Sequence, residues 1–214
     1  MFTGIIEEIC TVKSVSFSAQ TGSMKLSIDL HKIAETSKKG DSIAVNGICL
    51  TISDINASIA NFDISSETVT KTTLKGLQPG KMVNIERALL ADGRFAGHFV
   101  TGHIDGTAKI TKIEKKDKFA IMTFSADKSL LENIIPKGSI AVDGISLTIA
   151  ELNDKTFTVA LIPETLNSTT LGSAKTGDSV NIENDLLVKT IKKQLDNLLP
   201  KQGLTAEKLK SLGF

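Results

Sequence analysis

Ser42-Ile43-Ala44-Val45-Asn46-Gly47-Ile48-Cys49-Leu50-Thr51-Ile52 returns 97 residues later as Ser139-Ile140-Ala141-Val142-Asp143-Gly144-Ile145-Ser146-Leu147-Thr148-Ile149. In each copy an Asn-Gly or Asp-Gly step separates two apolar-rich runs, and such a step supplies the positive φ angles of a two-residue hairpin turn. On the strand after the turn, Ile48, Leu50 and Ile52 share one face while Cys49, Thr51 and Ser53 share the other. In the second copy Ile145, Leu147 and Ile149 oppose Ser146 and Thr148 in the same way. One face is core. The other is a strip of small polar groups that fits either a solvent-facing strand or a ligand wall.

Downstream the register holds: Glu67-Thr68 matches Glu164-Thr165, Thr72-Thr73-Leu74 matches Thr169-Thr170-Leu171, and Val83-Asn84-Ile85-Glu86 matches Val180-Asn181-Ile182-Glu183. Upstream, Thr3-Gly4-Ile5-Ile6-Glu7 matches Thr101-Gly102-His103-Ile104-Asp105 at an offset of 98, and pairing Lys39-Gly40 with Lys137-Gly138 makes Asp41 the extra residue. The sequence therefore divides into two tandem copies of one module, residues 1–97 and 98–187, with a tail over 188–214. Further strand-like runs at Met24–Leu30, Ala60–Ile64, Met82–Glu86, Ala120–Phe124 and Thr156–Leu161 predict about six strands per copy, enough to close a small barrel with no free edge. After Asp185 the period changes: Val188, Ile191, Leu195 and Leu198 follow helical spacing up to Pro200, an apolar seam that could cap a barrel or pair with copies of itself. The segment Thr205–Phe214 allows one short amphipathic turn more.

The chain has 214 residues, 41% hydrophobic and 23% charged, which suits a globular protein with a sizeable core. Twenty-five Lys and Arg against 24 Asp and Glu leave a net charge of +1, so no nucleic-acid partner is expected. No run is long enough to span a membrane, and the opening residues lack a signal peptide, so a cytoplasmic location is expected. Cys10 and Cys49 have no metal-ligand spacing and are read as reduced thiols. His98 and His103, five apart, would face opposite sides of a strand, so no metal site is expected either. Nucleotide fingerprints of the GxGxxG and GxxxxGK[ST] type are absent.

Where the copies differ, ionisable or hydrogen-bonding groups enter the second: Ile5 becomes His103, Asn46 becomes Asp143, Cys49 becomes Ser146 and Ala88 becomes Asp185. A duplicated scaffold that diverges at such positions presents two similar but unequal sites. His103 follows a glycine, where backbone can approach a ligand and an imidazole can carry a proton. Lys137 beside Gly138 is by default a solvated turn lysine.

The opening Met1-Phe2-Thr3-Gly4-Ile5-Ile6-Glu7, the paired hairpin strands, Gly97-His98-Phe99-Val100-Thr101-Gly102-His103-Ile104, and Leu161-Ile162-Pro163-Glu164-Thr165-Leu166 with Thr169-Thr170-Leu171-Gly172 resemble the riboflavin synthase family of the alpha-chain type, over residues 1 to about 187. The resemblance implies an all-β fold of two tandem homologous six-stranded Greek-key β-barrels followed by a C-terminal α-helix. It implies conversion of two 6,7-dimethyl-8-ribityllumazine molecules into riboflavin and 5-amino-6-ribitylamino-2,4-pyrimidinedione by four-carbon transfer, with no cofactor. It further implies a homotrimer held by the C-terminal helices.

Carried over by position, the implied catalytic residues are Ser42, Cys49, His98, His103, Lys137, Ser146 and Asp185, with Phe2 lining the site. One lumazine is expected among Gly4, Ile5, Ile6, Cys49, Leu50, Thr51, Asp63, Ile64, Ser65, Ser66, Glu67 and Thr68. The other is expected among Gly102, His103, Ile104, Lys137, Ser146, Leu147, Thr148, Ala160, Leu161, Ile162, Pro163, Glu164 and Thr165. The alternative reading is a non-catalytic lumazine- or flavin-binding optical protein on the same scaffold, which would be expected to lose the reactive groups of one copy.

Overall fold

A computed structural model of the chain describes residues 1–198; the expectations for Pro200 and for Thr205–Phe214 lie outside the described residues. The first copy forms β1 (Glu8–Phe17), β2 (Met24–Asp29), β3 (Ser42–Val45), β4 (Ile48–Asn56), β5 (Ile59–Ile64) and β6 (Met82–Arg87), and the second forms β7 (Gly106–Lys116), β8 (Phe119–Ala126), β9 (Ser139–Val142), β10 (Ile145–Leu152), β11 (Thr156–Leu161) and β12 (Ser179–Asn184). Each set closes into an antiparallel barrel, in the order β1-β2-β5-β4-β3-β6 and its equivalent. The second strand of each copy pairs with the fifth and not the third, the crossover of a Greek key. Closure pairs every strand on both sides, so no edge is left to template association.

The hairpin steps have the predicted conformation, with φ of 45° and 78° at Asn46 and Gly47 and of 45° and 79° at Asp143 and Gly144. The alternation after them is also as read: Ile48, Leu50 and Ile52 are buried in the first barrel, and Ile145, Leu147 and Ile149 in the second. Phe124 and Phe157 stack at 5.0 Å across the second core. Each buried aliphatic or aromatic side chain contributes about 1.5–3 kcal/mol.

Asp41 is not the extra residue. The amide of Gly40 donates to Ile52 O and that of Lys137 to Ile149 O, while Ile52 N donates to Asp41 O and Ile149 N to Gly138 O. Gly40 thus matches Lys137, and Asp41 matches Gly138. The length changes fall in loops instead: the hairpin pairs Val15↔Leu26 and Ile113↔Met122 enclose turns of different length, and the compensating residue lies between the second and third strands.

Four α-helices, α1 (Ser66–Lys71), α2 (Lys128–Leu131), α3 (Pro163–Ser168) and α4 (Leu186–Leu198), and three short 3-10 helices at His31–Thr36, Thr73–Gly76 and Thr170–Ser173 complete the described fold. α4 opens directly after Asp185, ahead of residue 188, because the Asp185 carboxylate accepts a hydrogen bond from the Leu187 amide and caps the first turn. Lys189 ties it to Asp105 at 2.8 Å.

The barrels meet across an approximate two-fold axis. A Cβ on Gly47 would lie 2.6 Å from Gly144 N, so only glycine permits this approach. Beside it, Asn84 Nδ2 donates to Asp143 O and Asn181 Nδ2 to Asn46 O, each at 3.0 Å. Asn84 Oδ1 accepts from Thr170 N and Asn181 Oδ1 from Thr73 N, each at 2.8 Å. Two buried amides on equivalent strands thereby satisfy backbone groups of the opposite barrel.

Candidate active site

The segment ahead of each barrel's first strand crosses to the other barrel. Phe2 and Val100 exchange backbone hydrogen bonds at the crossing. Beyond it, Ser146 N donates to Gly4 O at 2.8 Å and Cys49 N to Gly102 O at 2.9 Å. Gly4 and Gly102 lie at φ of 79° and 83°, and a Cβ on them would stand 2.7 Å from Ser146 Cβ and 2.4 Å from Cys49 Cβ. Ile6 packs against the second core and Ile104 against the first.

Within the chain Gly4 thus lies beside Ser146 and Ile6 on the second core, while Gly102 lies beside Cys49 and Ile104 on the first core; the expectation had grouped Gly4, Ile5 and Ile6 with Cys49, and Gly102, His103 and Ile104 with Ser146. Local sequence does not say which barrel a leading segment docks on.

Two carboxylates fix these segments. Glu86 accepts from Thr3 N, Thr3 Oγ1 and Gly4 N at 2.6, 2.9 and 3.0 Å. Glu183 accepts from Thr101 N, Thr101 Oγ1 and Gly102 N at 2.7, 2.6 and 2.9 Å. Burial pushes the Glu86 carboxyl up, against the pull of the Thr3 and Gly4 hydrogen bonds. The sequence reading gave Glu86, Glu183, Asn84 and Asn181 no role; their signal was identity at paired positions of both copies.

The two strips then differ in chemistry. His98 Nδ1 lies 2.7 Å from Ser146 Oγ. Burial holds this imidazole below its ordinary pKa, opposed by the charge of Asp185, and its Nε2 is buried without a hydrogen-bond partner. A neutral imidazole paired to a hydroxyl can relay a proton. His98 comes from the segment between the two barrels, after β6 and ahead of β7. On the Cys49 side, His103 is exposed and one residue from the strand contact. Cys49 is half-buried and Thr51 and Thr148 are exposed.

The remaining expected residues divide by exposure. Asp63, Ser65, Ser66 and Glu67 are exposed at the junction of β5 with α1, where Ser65 caps the helix by accepting from Thr68 N. Ala160, Ile162 and Glu164 are exposed at the equivalent junction, with Pro163 and Thr165 half-buried. Leu50, Ile64, Leu147 and Leu161 point into the cores. Phe2 is fully buried between the barrels with Ala44, Val100 and Ala141, where it anchors the crossing segment. Lys137 is exposed and its Nζ donates to Ala150 O at 3.2 Å. Ser42 and Ile5 line a pocket of about 610 Å³ with Ala88, Arg87 and Leu90 on the first barrel.

The lumazine binding domain family matches twice, over residues 3–88 and 101–185. The riboflavin synthase of Bacillus subtilis (strain 168) is 48% identical over 189 residues, 88% of this chain and 87% of that one. The chain belongs to the riboflavin synthase family. The riboflavin synthase of Actinobacillus pleuropneumoniae is 41% identical over 219 residues, the full length of both chains. Among solved structures, LumP complexed with riboflavin superposes with a TM-score of 0.80 at 28% identity, covering 86% of this chain and 99% of that one. LumP complexed with 6,7-dimethyl-8-(1'-D-ribityl) lumazine gives 0.78 at 26%, with the same coverage. The two matches of the lumazine binding domain correspond to the two barrels.

Proposed function

We propose that the chain is a riboflavin synthase that takes two molecules of 6,7-dimethyl-8-ribityllumazine and moves a four-carbon unit from one to the other, leaving riboflavin and 5-amino-6-ribitylamino-2,4-pyrimidinedione. The observation that carries this reading is the presence of two equivalent strips, one built around Cys49 and the other around Ser146 with His98, in a chain closely similar to riboflavin synthases along most of its length. Two identical substrates must take unequal roles, and a duplicated scaffold with divergent polar groups supplies unequal places for them. The 7-methyl group of the lumazine is acidic because its anion delocalises into the ring, so a modest base and correct placement of the two rings suffice.

In this reading Ser146 and His98 form the proton-carrying pair on one side, and Cys49 with His103 the polar groups on the other. Asp185 acts on His98 through its charge, while Ser42 and Lys137 line the periphery. Each lumazine rests against one helix junction, residues 63–68 or 160–165, and against the segment contributed by the opposite barrel.

We further propose that the protein is a homotrimer built by α4. Leu187, Ile191 and Leu195, four residues apart, are 54%, 61% and 51% exposed and form one apolar stripe along the helix. The expected seam shifts accordingly: Ile191 and Leu195 belong to the stripe and Val188 is half-buried. No described helix is long and apolar enough to cross a membrane. Cys10 and Cys49 are free, which suits a reducing compartment, and we place the protein in the cytoplasm.

The alternative is an optical protein that binds lumazine without converting it; LumP, solved in complex with that lumazine, has a similar fold. Mixing the protein with the lumazine decides between them. A synthase forms one riboflavin for every two lumazines consumed, with no redox partner, and an unchanged lumazine spectrum would contradict the proposed activity.

A further inference from the structure

Glu8 and Cys10 alternate with Ile9 on β1 and so face the same side of the strand. Cys10 is fully buried in the first core, and Glu8 is half-buried two residues nearer the start of the strand. The chain leaving β2 bends through His31 at φ 50°, and the His31 Nδ1 lies 2.9 Å from Glu8 Oε1. The Cys10 sulfur, a Glu8 oxygen and a His31 ring nitrogen all lie within 4.8 Å of one another. Asp29 stands behind them, its Oδ2 3.9 Å from His31 Nε2 and 3.2 Å from Lys13 Nζ.

We propose that Glu8, Cys10 and His31 form a binding site for a divalent transition metal ion of the zinc type on the first barrel, separate from the lumazine strips. Thiolate, imidazole and carboxylate together are the donor set of zinc, and the thiolate argues against magnesium and calcium. Three protein ligands leave a fourth position for water or for Asp29. The His31 side chain is 39% exposed, so an ion can enter from solvent.

Barrel closure does not require these donors. In the second copy the positions of Glu8 and Cys10 are held by Gly106 and Ala108, and β7 and β8 pair as β1 and β2 do. By the same strand register Ser125 and Asp127 replace Asp29 and His31. The donor set is thus confined to one of two equivalent barrels, and its parts lie on two strands whose spacing carries no metal signature.

The local charge is consistent with a cation. Burial, with Glu8 and Asp29 adding to it, pushes the Cys10 thiol up to about 12, so without an ion the sulfur stays protonated. Metal binding exchanges the Cys10 S–H bond for a sulfur–metal bond and releases one proton to solvent, with no change of oxidation state. Lys13 pairs with Asp29, which limits the excess negative charge once the thiolate forms.

The test is a titration of chelator-treated, ligand-free protein with Co2+, read by its thiolate-to-cobalt charge-transfer band in the near ultraviolet, where a chain without Trp or Tyr has little background. One Co2+ per chain is expected to raise the band, and Zn2+ to abolish it by displacement. Cys10→Ala, the residue the second barrel already carries at this place, is expected to lose the band. Glu8→Gln and His31→Gln, both outside the core, are expected to weaken Co2+ binding roughly tenfold or more. The proposal is overturned if the unaltered chain gives no such band, if the band survives in Cys10→Ala and so belongs to Cys49, or if affinity is unchanged in both Glu8→Gln and His31→Gln with far-ultraviolet circular dichroism intact.

Discussion

Asn46 and Asp143 occupy equivalent hairpin turns and perform the same task, each accepting a 2.7 Å hydrogen bond from the amide of an equivalent asparagine, Asn84 or Asn181. The acid differs in that burial pushes its carboxyl up to about 7. Because the folded state then holds a proton that the unfolded chain has released, stability falls as pH rises from about 4 to about 7 and stays lower above that. Asp143→Asn keeps the acceptor and removes the charge. Chemical denaturation should find it more stable than the parent by on the order of 2–4 kcal/mol at pH 8, with little difference at pH 4. At the site itself, His98→Gln should slow turnover by about 100- to 10,000-fold, since its imidazole is the proposed proton carrier. Cys49→Ser should slow it less while leaving lumazine affinity nearly intact, because the two side chains differ little in volume. Single-turnover rates at saturating lumazine compare the two variants directly. These polar positions were legible in sequence because two copies could be read against each other. The His98–Ser146 contact was not, since it joins residues 48 apart in the chain.

Among the elements, the hairpins β3–β4 and β9–β10 could be read directly, since Asn-Gly and Asp-Gly leave few turn conformations open. The long strands β1 and β7 are not legible as alternating runs, because a bulge in each, between Val12 and Ser14 and between Ile110 and Lys112, shifts the apolar positions to the other parity. The crossing of the leading segments was invisible, being a choice between two nearly identical docking surfaces. That crossing predicts a strong local constraint: Gly4→Ala and Gly102→Ala place a Cβ against Ser146 or Cys49 at a positive φ. Each should cost about 1–3 kcal/mol and lower turnover, measured by thermal unfolding and riboflavin formation. The helical period after Asp185 was also legible, although the side of α4 that remains exposed depends on how Lys189 and Lys192 dock it on the second barrel. Replacing Leu187, Ile191 and Leu195 together by serine should convert the proposed trimer to monomer in sedimentation velocity with the barrels still folded. An unchanged sedimentation coefficient would remove α4 from the assembly.

For the whole molecule, the proposed function makes the duplicated barrel a means of holding two copies of one substrate in places that are alike in shape and unlike in chemistry. The glycine contact at the pseudo-two-fold axis, the reciprocal Asn84 and Asn181 bonds, and the Glu86 and Glu183 clasps maintain the likeness. His98, Ser146 and Asp185 on one side and Cys49 and His103 on the other break it. The most direct test of that claim is an equilibrium titration with a lumazine analogue lacking the 7-methyl group, which can bind but cannot react, followed by its own fluorescence. The account predicts two sites per chain with affinities that differ. A single site per chain, or two sites of equal affinity under conditions that resolve a difference of about tenfold, would contradict it.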